Sequence, residues 1–237
     1  MQHIFSKVRK AIEDFDMIND NDFVAVGVSA GKDSLTTLYA LSYLRRFYPK
    51  KFDVIAITVD MGFENADFSP IYEFCKNINV EYKVIPSQIK EIVFDIRKES
   101  NPCSLCANLR RGILNSTAKE LGCNKIALGH HLDDVVETFF LSLFYEGRLH
   151  CFDPKTYLDR TDITNIRPMI YVKEHEIRGA AKKLNLPVIV NPCPANGKTN
   201  RQKMKDFIKS LSSFHPATKD LVFGAIKRDI WQYDKKE

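Results

Sequence analysis

The chain has one tryptophan, no internal repeat and no low-complexity stretch, and no apolar run that approaches the roughly 18–20 residues of a membrane span. These absences exclude a repeat architecture, a disordered tract and a spanning helix, and with it a membrane partner. The opening stretch, "MQHIFSKVRKAIEDFD", is amphipathic and carries acids, unlike a secretory signal, so the expected location is the cytoplasm. Without such a signal, the six cysteines read as reduced thiols or metal ligands rather than disulfides. A net charge of +5 permits a polyanionic partner without demanding one.

What is present is an alternation of two periodicities. Ile4, Phe5, Val8, Ile12, Phe15 and Ile18 recur at helical spacing. Short, continuously apolar runs follow: "FVAVGV", "DVIAITVD", "EYKVIPS" and "KIALGH". Between them lie helical patterns over 33–47, 69–78 and 104–121, and another begins at Asp133. "NIRPMI" reads as a fifth, edge-like strand, "VKEHEIRGAAKKLN" as a helix, "PVIV" as a last strand, and the tail from Thr199 as helices. "YEGRLHCFDPKTYLDRTDIT" reads as a loop. Strands buried on both faces and alternating with helices predict an α/β fold, a Rossmann-like doubly wound parallel sheet. The expected organisation is an N-terminal helix over 1–19, a nucleotide-binding α/β domain over 20–165, and a small helical C-terminal extension over 166–237. In such a sheet ligands bind at the carboxyl ends of the strands.

Three unusual stretches fall at those ends: "GVSAGKDS", "VDMGF" and "GHHLDD". The first lacks the spacing of the ordinary G-x-x-x-x-G-K-[ST] nucleotide loop, since Gly27 and Gly31 are one residue too close and Asp33 follows Lys32. Its physics is the same. A tight turn presents N–H groups, a helix begins near Asp33, and Ser29, Lys32 and Ser34 add donors suited to phosphate. A plain turn with Asp33 as a helix cap is the simpler reading.

"NPCSLCANLRR" holds Cys103 and Cys106 in C-x-x-C spacing, and "NPCPANGKTNR" holds Cys193. Cys75, Cys123 and Cys151 stand in ordinary contexts and read as structural. Three thiols admit a zinc site completed by His130 or His131, a redox dithiol, or a 4Fe-4S cluster with one iron left open. Spacing alone does not choose.

"SAGKDS" resembles the S-G-G-x-D-S loop of the PP-loop ATP pyrophosphatases, with Ala30 where that loop commonly has glycine. Taken with "PCSLCANLRRGIL", "ALGHHLDD", "IRPMIYVKEHEI" and "NRQKMKD", the text from about residue 5 to about residue 215 resembles the tRNA 2-thiocytidine biosynthesis (TtcA) family. The resemblance implies an adenine nucleotide alpha hydrolase-like fold and a sulfurtransferase that uses ATP, Mg2+ and a 4Fe-4S cluster. It implies cluster ligation by Cys103, Cys106 and Cys193. The family often shows a second C-x-x-C at the last site, where here only Cys193 stands. Implied nucleotide contacts are Ser29, Ala30, Gly31, Lys32, Asp33 and Ser34 of the loop, then Asp60, Gly129, Asp133 and Asp134. Lys32, Asp134 and Arg110 join the cysteines as implied catalytic groups. Implied partners are tRNA and a cysteine desulfurase or another sulfide donor, and a homodimer is compatible.

The chemistry asks for these residue types. The C2 oxygen of a cytidine leaves well only once adenylated, and releasing pyrophosphate needs positive charge at the leaving phosphates. Mg2+ prefers oxygen ligands, for which Asp133 and Asp134 are candidates, although acids at a helix start are also ordinary. Arg110 and Arg111 are candidates for a phosphate of ATP or RNA. The basic run Lys198, Arg201, Lys203, Lys205 and Lys209 is the candidate RNA patch, with a solvated helix face as the simpler reading. Two other functions fit parts of the text: an ATP-dependent amidating ligase on the same fold, and a non-catalytic iron–sulfur or zinc RNA-binding protein. The first leaves the cysteines without a role, the second the loop.

Overall fold

A computed structural model describes residues 1–64, 66–97, 102–189, 193, 200–211 and 213–233. Six strands form one sheet in the order β3-β2-β1-β4-β6-β5. They are β1 (Asp22–Gly27), β2 (Phe52–Asp60), β3 (Glu81–Pro86), β4 (Lys125–Ala127), β5 (Lys155–Leu158) and β6 (Ile163–Ile166). All neighbours pair in parallel except β5 and β6, which are antiparallel. The helices are α1 (Gln2–Asp14), α2 (Lys32–Leu44), α3 (Ser69–Asn77), α4 (Pro102–Glu120), α5 (Leu132–Leu141), α6 (Glu174–Lys183), α7 (Asn200–Leu211) and α8 (Thr218–Ala225).

The apolar strands are explained by their two faces. Val24, Val26, Val54 and Ala56 belong to one core with α1, α2, α5 and α6. Ala25, Ile55 and Ile57, one residue out of step, belong to a second core with Leu114 and Ala118 of α4. Side chains alternate across a strand, so a sheet covered on both faces reads apolar at every position. Helix α2 lies deep: Leu35, Leu38 and Leu41 are fully buried, and Thr36 and Thr37 return their hydroxyls to the carbonyls of Lys32 and Asp33 at 2.7 and 2.8 Å. That back-bonding satisfies the hydroxyls where water is excluded. The C-terminal helices join the larger core through Met204, Ile208 and Phe223.

Several expectations need correction. The stretch expected as a loop holds β5, paired residue for residue with β6 from Lys155↔Ile166 to Leu158↔Ile163. The fifth expected strand ends at Ile166, because Arg167 begins a turn in which Ile170 N–H donates back to its carbonyl. Residues 187–189 of "PVIV" are not a strand; Ile189 N–H donates instead to Ala30 O at 3.0 Å. A π-helical segment, Glu91–Ile96, was not expected. Its wide turn has no distinctive repeat in six residues. Val190, Pro194, Ala195, Asn196 and Lys198 lie outside the described residues.

The chain runs β1, β2, β3 outward to one edge and returns to place β4 on the other side of β1. The crevice between the carboxyl ends of β1 and β4 is the switch point, where a doubly wound sheet takes its ligand.

Candidate active site

The loop after β1 is folded around one hydroxyl. Ser34 Oγ accepts the N–H of Ser29 at 3.1 Å, lies 3.3 Å from Ser29 Oγ, and donates to Gly31 O at 3.0 Å. Ala30 sits at φ +63°, a left-handed backbone that costs a residue with a Cβ about 1–2 kcal/mol and glycine little. Its methyl is buried in the core. The loop then enters α2 with Gly31 as the N-cap and no side-chain cap. This corrects the simpler reading of Asp33 as the cap: Asp33 lies inside the first turn.

Lys32 is held between two carboxylates, Asp33 Oδ2 at 3.0 Å and Glu174 Oε1 at 3.1 Å. Burial opposes the ionisation of Glu174, but the hydrogen bond and charge of Lys32, with Lys205 beside it, outweigh that and hold its carboxyl at about 2. The other oxygen of Asp33, Oδ1, is buried with no hydrogen-bond partner, and lies 3.6 Å from His131 Nε2.

The second wall is the start of α5. His131 caps the helix: its Nδ1 accepts Asp134 N–H at 3.4 Å, and Asp134 Oδ2 accepts His131 N–H at 3.0 Å. Asp133 accepts Glu174 N–H at 2.7 Å and pairs with Lys219. Burial alone would raise the Asp133 carboxyl, but those two partners hold it below the ordinary range. Glu137, one turn on, is 3% exposed, and burial pushes its carboxyl up to about 7. Gly129, at the end of β4, has no room for a side chain. A Cβ there would stand 2.9 Å from Ser34 N and 3.0 Å from Asp33 C, both backbone atoms. Gly129→Ala is therefore expected to push the loop aside and lower kcat/KM for ATP by about a hundredfold, with the far end of the sheet unaffected. Steady-state kinetics over ATP concentration checks this; unchanged kinetics would mean that the loop tolerates the shift.

The cysteines come from separate elements. Cys103 and Cys106 lie in the first turn and a half of α4, the first exposed and the second half-buried with its Sγ 3.6 Å from Met61 Sδ. Burial raises the Cys106 thiol, Arg110 lowers it, and the neighbouring Cys193 and Cys103 raise it again. Cys193, far along the chain, is thus close enough to act on Cys106. Among the described residues no three His, Cys, Asp or Glu side chains close on a single metal ion. Cys75, Cys123 and Cys151 are buried elsewhere.

Residues 1–210 match the PP-loop domain family. A tRNA-cytidine(32) 2-sulfurtransferase from Geobacter metallireducens is 40% identical over 92% of this chain and 86% of its own. One from Syntrophotalea carbinolica is 40% identical over 94% of this chain and 89% of its own. The chain belongs to the tRNA-cytidine(32) 2-sulfurtransferase family. Among solved structures, the U34-tRNA thiolase NcsA from Methanococcus maripaludis, determined with its [4Fe-4S] cluster, superposes with a TM-score of 0.79 at 28% identity, covering 100% of this chain and 80% of that one.

For a member of this sulfurtransferase family, the donor sets fit the groups its chemistry uses. Thiols are the soft donors that iron–sulfur clusters take, and Cys103 and Cys193 are the cysteines whose charge acts on Cys106. The buried Asp33 Oδ1, which has no hydrogen-bond partner, is an oxygen of the hard kind that Mg2+ prefers. Asp60 serves the backbone: its Oδ1 accepts Gly62 N–H at 3.0 Å, closing the turn after β2. His130 and His131 do not play one role. His131 is the α5 cap, while His130 lies with its ring 4.9 Å from that of Phe152 at a tilt of 39°, and burial lowers it to about 4.

One expectation fails in part. Arg201 and Lys205, candidates for an RNA patch or else for a solvated helix face, turn inward to Asp134, Glu137 and Glu174. Lys203 and Lys209 are exposed on α7. Sequence reasoning also missed Glu174, Glu137 and Lys219 as parts of this wall. The acids at 174 and 176 do mark a helix start, but a start signal does not say which site the helix faces.

Proposed function

We propose that this chain adenylates the C2 oxygen of an anticodon-loop cytidine of tRNA and replaces it with sulfur, giving 2-thiocytidine. The reading is supported by the likeness to tRNA-cytidine(32) 2-sulfurtransferases over more than nine-tenths of the chain, together with the loop at the switch point, where Ser34 Oγ ties Ser29 N–H to Gly31 O. A redox dithiol would need only Cys103 and Cys106, and would leave that loop without a role.

The backbone N–H groups of the loop and the start of α2 would face the leaving pyrophosphate, with Lys32 released from Glu174 to neutralise it. Asp33 and Asp134 would hold Mg2+ against the phosphates. The base oxygen attacks the α-phosphorus and the bond to the β-phosphate oxygen breaks, so pyrophosphate leaves. Sulfide then attacks C2, the C–O bond breaks, and AMP departs with the original oxygen. Cys103, Cys106 and Cys193 would hold the 4Fe-4S cluster, which supplies an iron with an open position for an exogenous sulfide. Arg110, one turn from Cys106, would favour anionic sulfur there. A cysteine desulfurase or another donor would supply the sulfide. The proposed setting is the cytoplasm, where tRNA is found; no helix among the described residues is long and apolar enough to cross a membrane.

Nucleoside mass spectrometry of tRNA tests the assignment. A strain lacking the gene is expected to lose 2-thiocytidine and to regain it on complementation. Unchanged 2-thiocytidine in a strain that makes it would overturn the acceptor and direct attention to a thiouridine.

A further inference from the structure

The far halves of α5 and α7 carry aromatic rings that the core does not cover. Arg201 meets Asp134, Lys205 meets Glu137 and Phe207 meets Phe140, so the two helices run side by side in one direction, away from the site. Phe140 is buried. Phe144, in the π-helical segment Ser142–Glu146 that extends α5, stacks on Phe140 at 5.8 Å and meets Phe207 edge-on at 5.3 Å. Phe144 is 55% exposed, Phe207 37%, and Tyr145, next in the chain, 59%. A lone exposed ring is ordinary, but adjoining rings turned to water mark a contact surface.

This surface leads back to the site. Gly147, at φ +65°, ends the helix and lets the chain turn back. Arg148 N–H donates to Ser142 O at 3.1 Å, and Cys151 Sγ donates to Val135 O at 3.4 Å. Residues 148–151 therefore climb the stretch of α5 between those two carbonyls, about 10 Å. Arg148, Leu149 and His150 are exposed along the climb. Phe152 then lies beside His130, which follows β4 at the switch point.

Charge chooses the occupant. Arg148 and His150 stand on the climbing segment, and Lys203, one turn before Phe207, shares its face of α7. The acids among them have local partners: Glu146 accepts Ser142 Oγ at 3.2 Å, and Asp206 accepts Gln202 Nε2 at 3.1 Å. The core of a protein–protein contact is poor in lysine. Aromatic faces interleaved with arginine and lysine suit unpaired bases and their phosphates. Phe144 is ten residues from Asp134 along the helix, about 15 Å, or about four stacked nucleotides.

We propose that Phe144, Tyr145 and Phe207, with Arg148 and Lys203, form a docking surface for unpaired nucleotides of the substrate RNA, about three to five places along the strand from the base in the site. This rests on the proposed function in taking a loop of tRNA as the substrate. The rings stack on bases and the cations meet phosphates. Such a surface sorts loops from paired helices, whose bases already stack on one another.

Fluorescence anisotropy with the full chain tests this, using two labelled RNAs of equal length: a tRNA anticodon stem-loop and a fully paired duplex. The unaltered chain is expected to prefer the stem-loop. Phe144→Ala should weaken stem-loop binding about tenfold and duplex binding little, and Phe144→Trp should keep the affinity. Arg148→Gln should weaken it about threefold and lower its salt dependence by about one phosphate contact. Binding of a non-hydrolysable ATP analogue, unchanged in all three variants, reports an intact fold. The proposal is overturned if the stem-loop affinity does not move in Phe144→Ala and Arg148→Gln, or if loop and duplex lose equally. A homodimer that dissociates in Phe144→Ala at unchanged stem-loop affinity would also overturn it and give the face to a second copy of the chain. Stem-loop binding that depends on Phe144, in a chain that makes no 2-thiocytidine, would sink the proposed function and leave this surface standing. No stem-loop binding by the unaltered chain would sink both.

Discussion

Cys106→Ala is expected to abolish thiolation, with a loss of at least about three orders of magnitude in turnover, while leaving ATP binding and the fold in place. The expectation follows from where the thiol sits. It is half-buried at the start of α4, in contact with Met61 and under the influence of both Cys103 and Cys193. Truncating a small, partly exposed side chain changes stability by about 1 kcal/mol or less. The expected chemical loss is of another order, because in the proposed function Cys106 is one of three ligands that would hold sulfur near the activated base. Cys103→Ala and Cys193→Ala should behave alike, and each should also lose iron and visible absorbance after anaerobic purification. Cys75→Ala is the contrast. Burial pushes that thiol up to about 12, so it is an inert thiol packed in the core, and its loss should cost stability but not turnover per folded molecule. Full activity in any one of the three ligand variants would sink the three-thiol assignment.

The largest effect on stability is expected at the opposite end of the sheet. Lys125, the first residue of β4, is 4% exposed and so is Asp22, the first residue of β1. Lys125 Nζ lies 2.7 Å from Asp22 Oδ2 and donates to Met17 O at 2.7 Å. Asp22 also accepts Asn124 Nδ2 at 2.7 Å and Asn19 N–H at 2.6 Å. Every strong group in this network has a partner, which is the condition under which a buried ion pair is tolerated. Lys125→Met leaves the carboxylate buried without its counter-charge and is expected to cost about 3–5 kcal/mol, a large share of the roughly 5–15 kcal/mol that holds a domain folded. Urea denaturation at neutral pH measures it. The double change Asp22→Leu, Lys125→Met should recover part of the loss, since it removes the orphaned charge. A cost below about 1 kcal/mol for Lys125→Met would show that water reaches the site and that the pair is screened. Because the network lies at the amino ends of the strands, the folded fraction should retain its affinity for ATP.

The parts of this protein that could be read locally are those whose cause is local. The apolar runs became strands because a residue buried on either face of a sheet must be apolar whichever way it points. The glycine-containing loop between β1 and α2 was visible because the turn chemistry lies within eight residues. The C-x-x-C pair was visible because its two thiols ride on one helix turn. The hairpin of β5 and β6 was not, because polar residues such as Lys155, Thr156 and Asn165 do not alternate cleanly, and pairing partners are not written in either strand.

The fold class, the loop after β1 and the C-x-x-C pair thus follow from short stretches of text, each governed by neighbours a few residues away. Other features depended on which surfaces the sheet brings face to face. Glu174 meets Lys32, and the charge of Cys193 acts on Cys106, only because the chain after β6 returns to the carboxyl ends of the strands. Arg201 and Lys205 look like solvated or RNA-facing cations in the chain, yet they close on Asp134, Glu137 and Glu174. A charged residue carries no mark of its partner. Its partner is chosen by long-range packing, and in a buried place that choice decides both its protonation and its role.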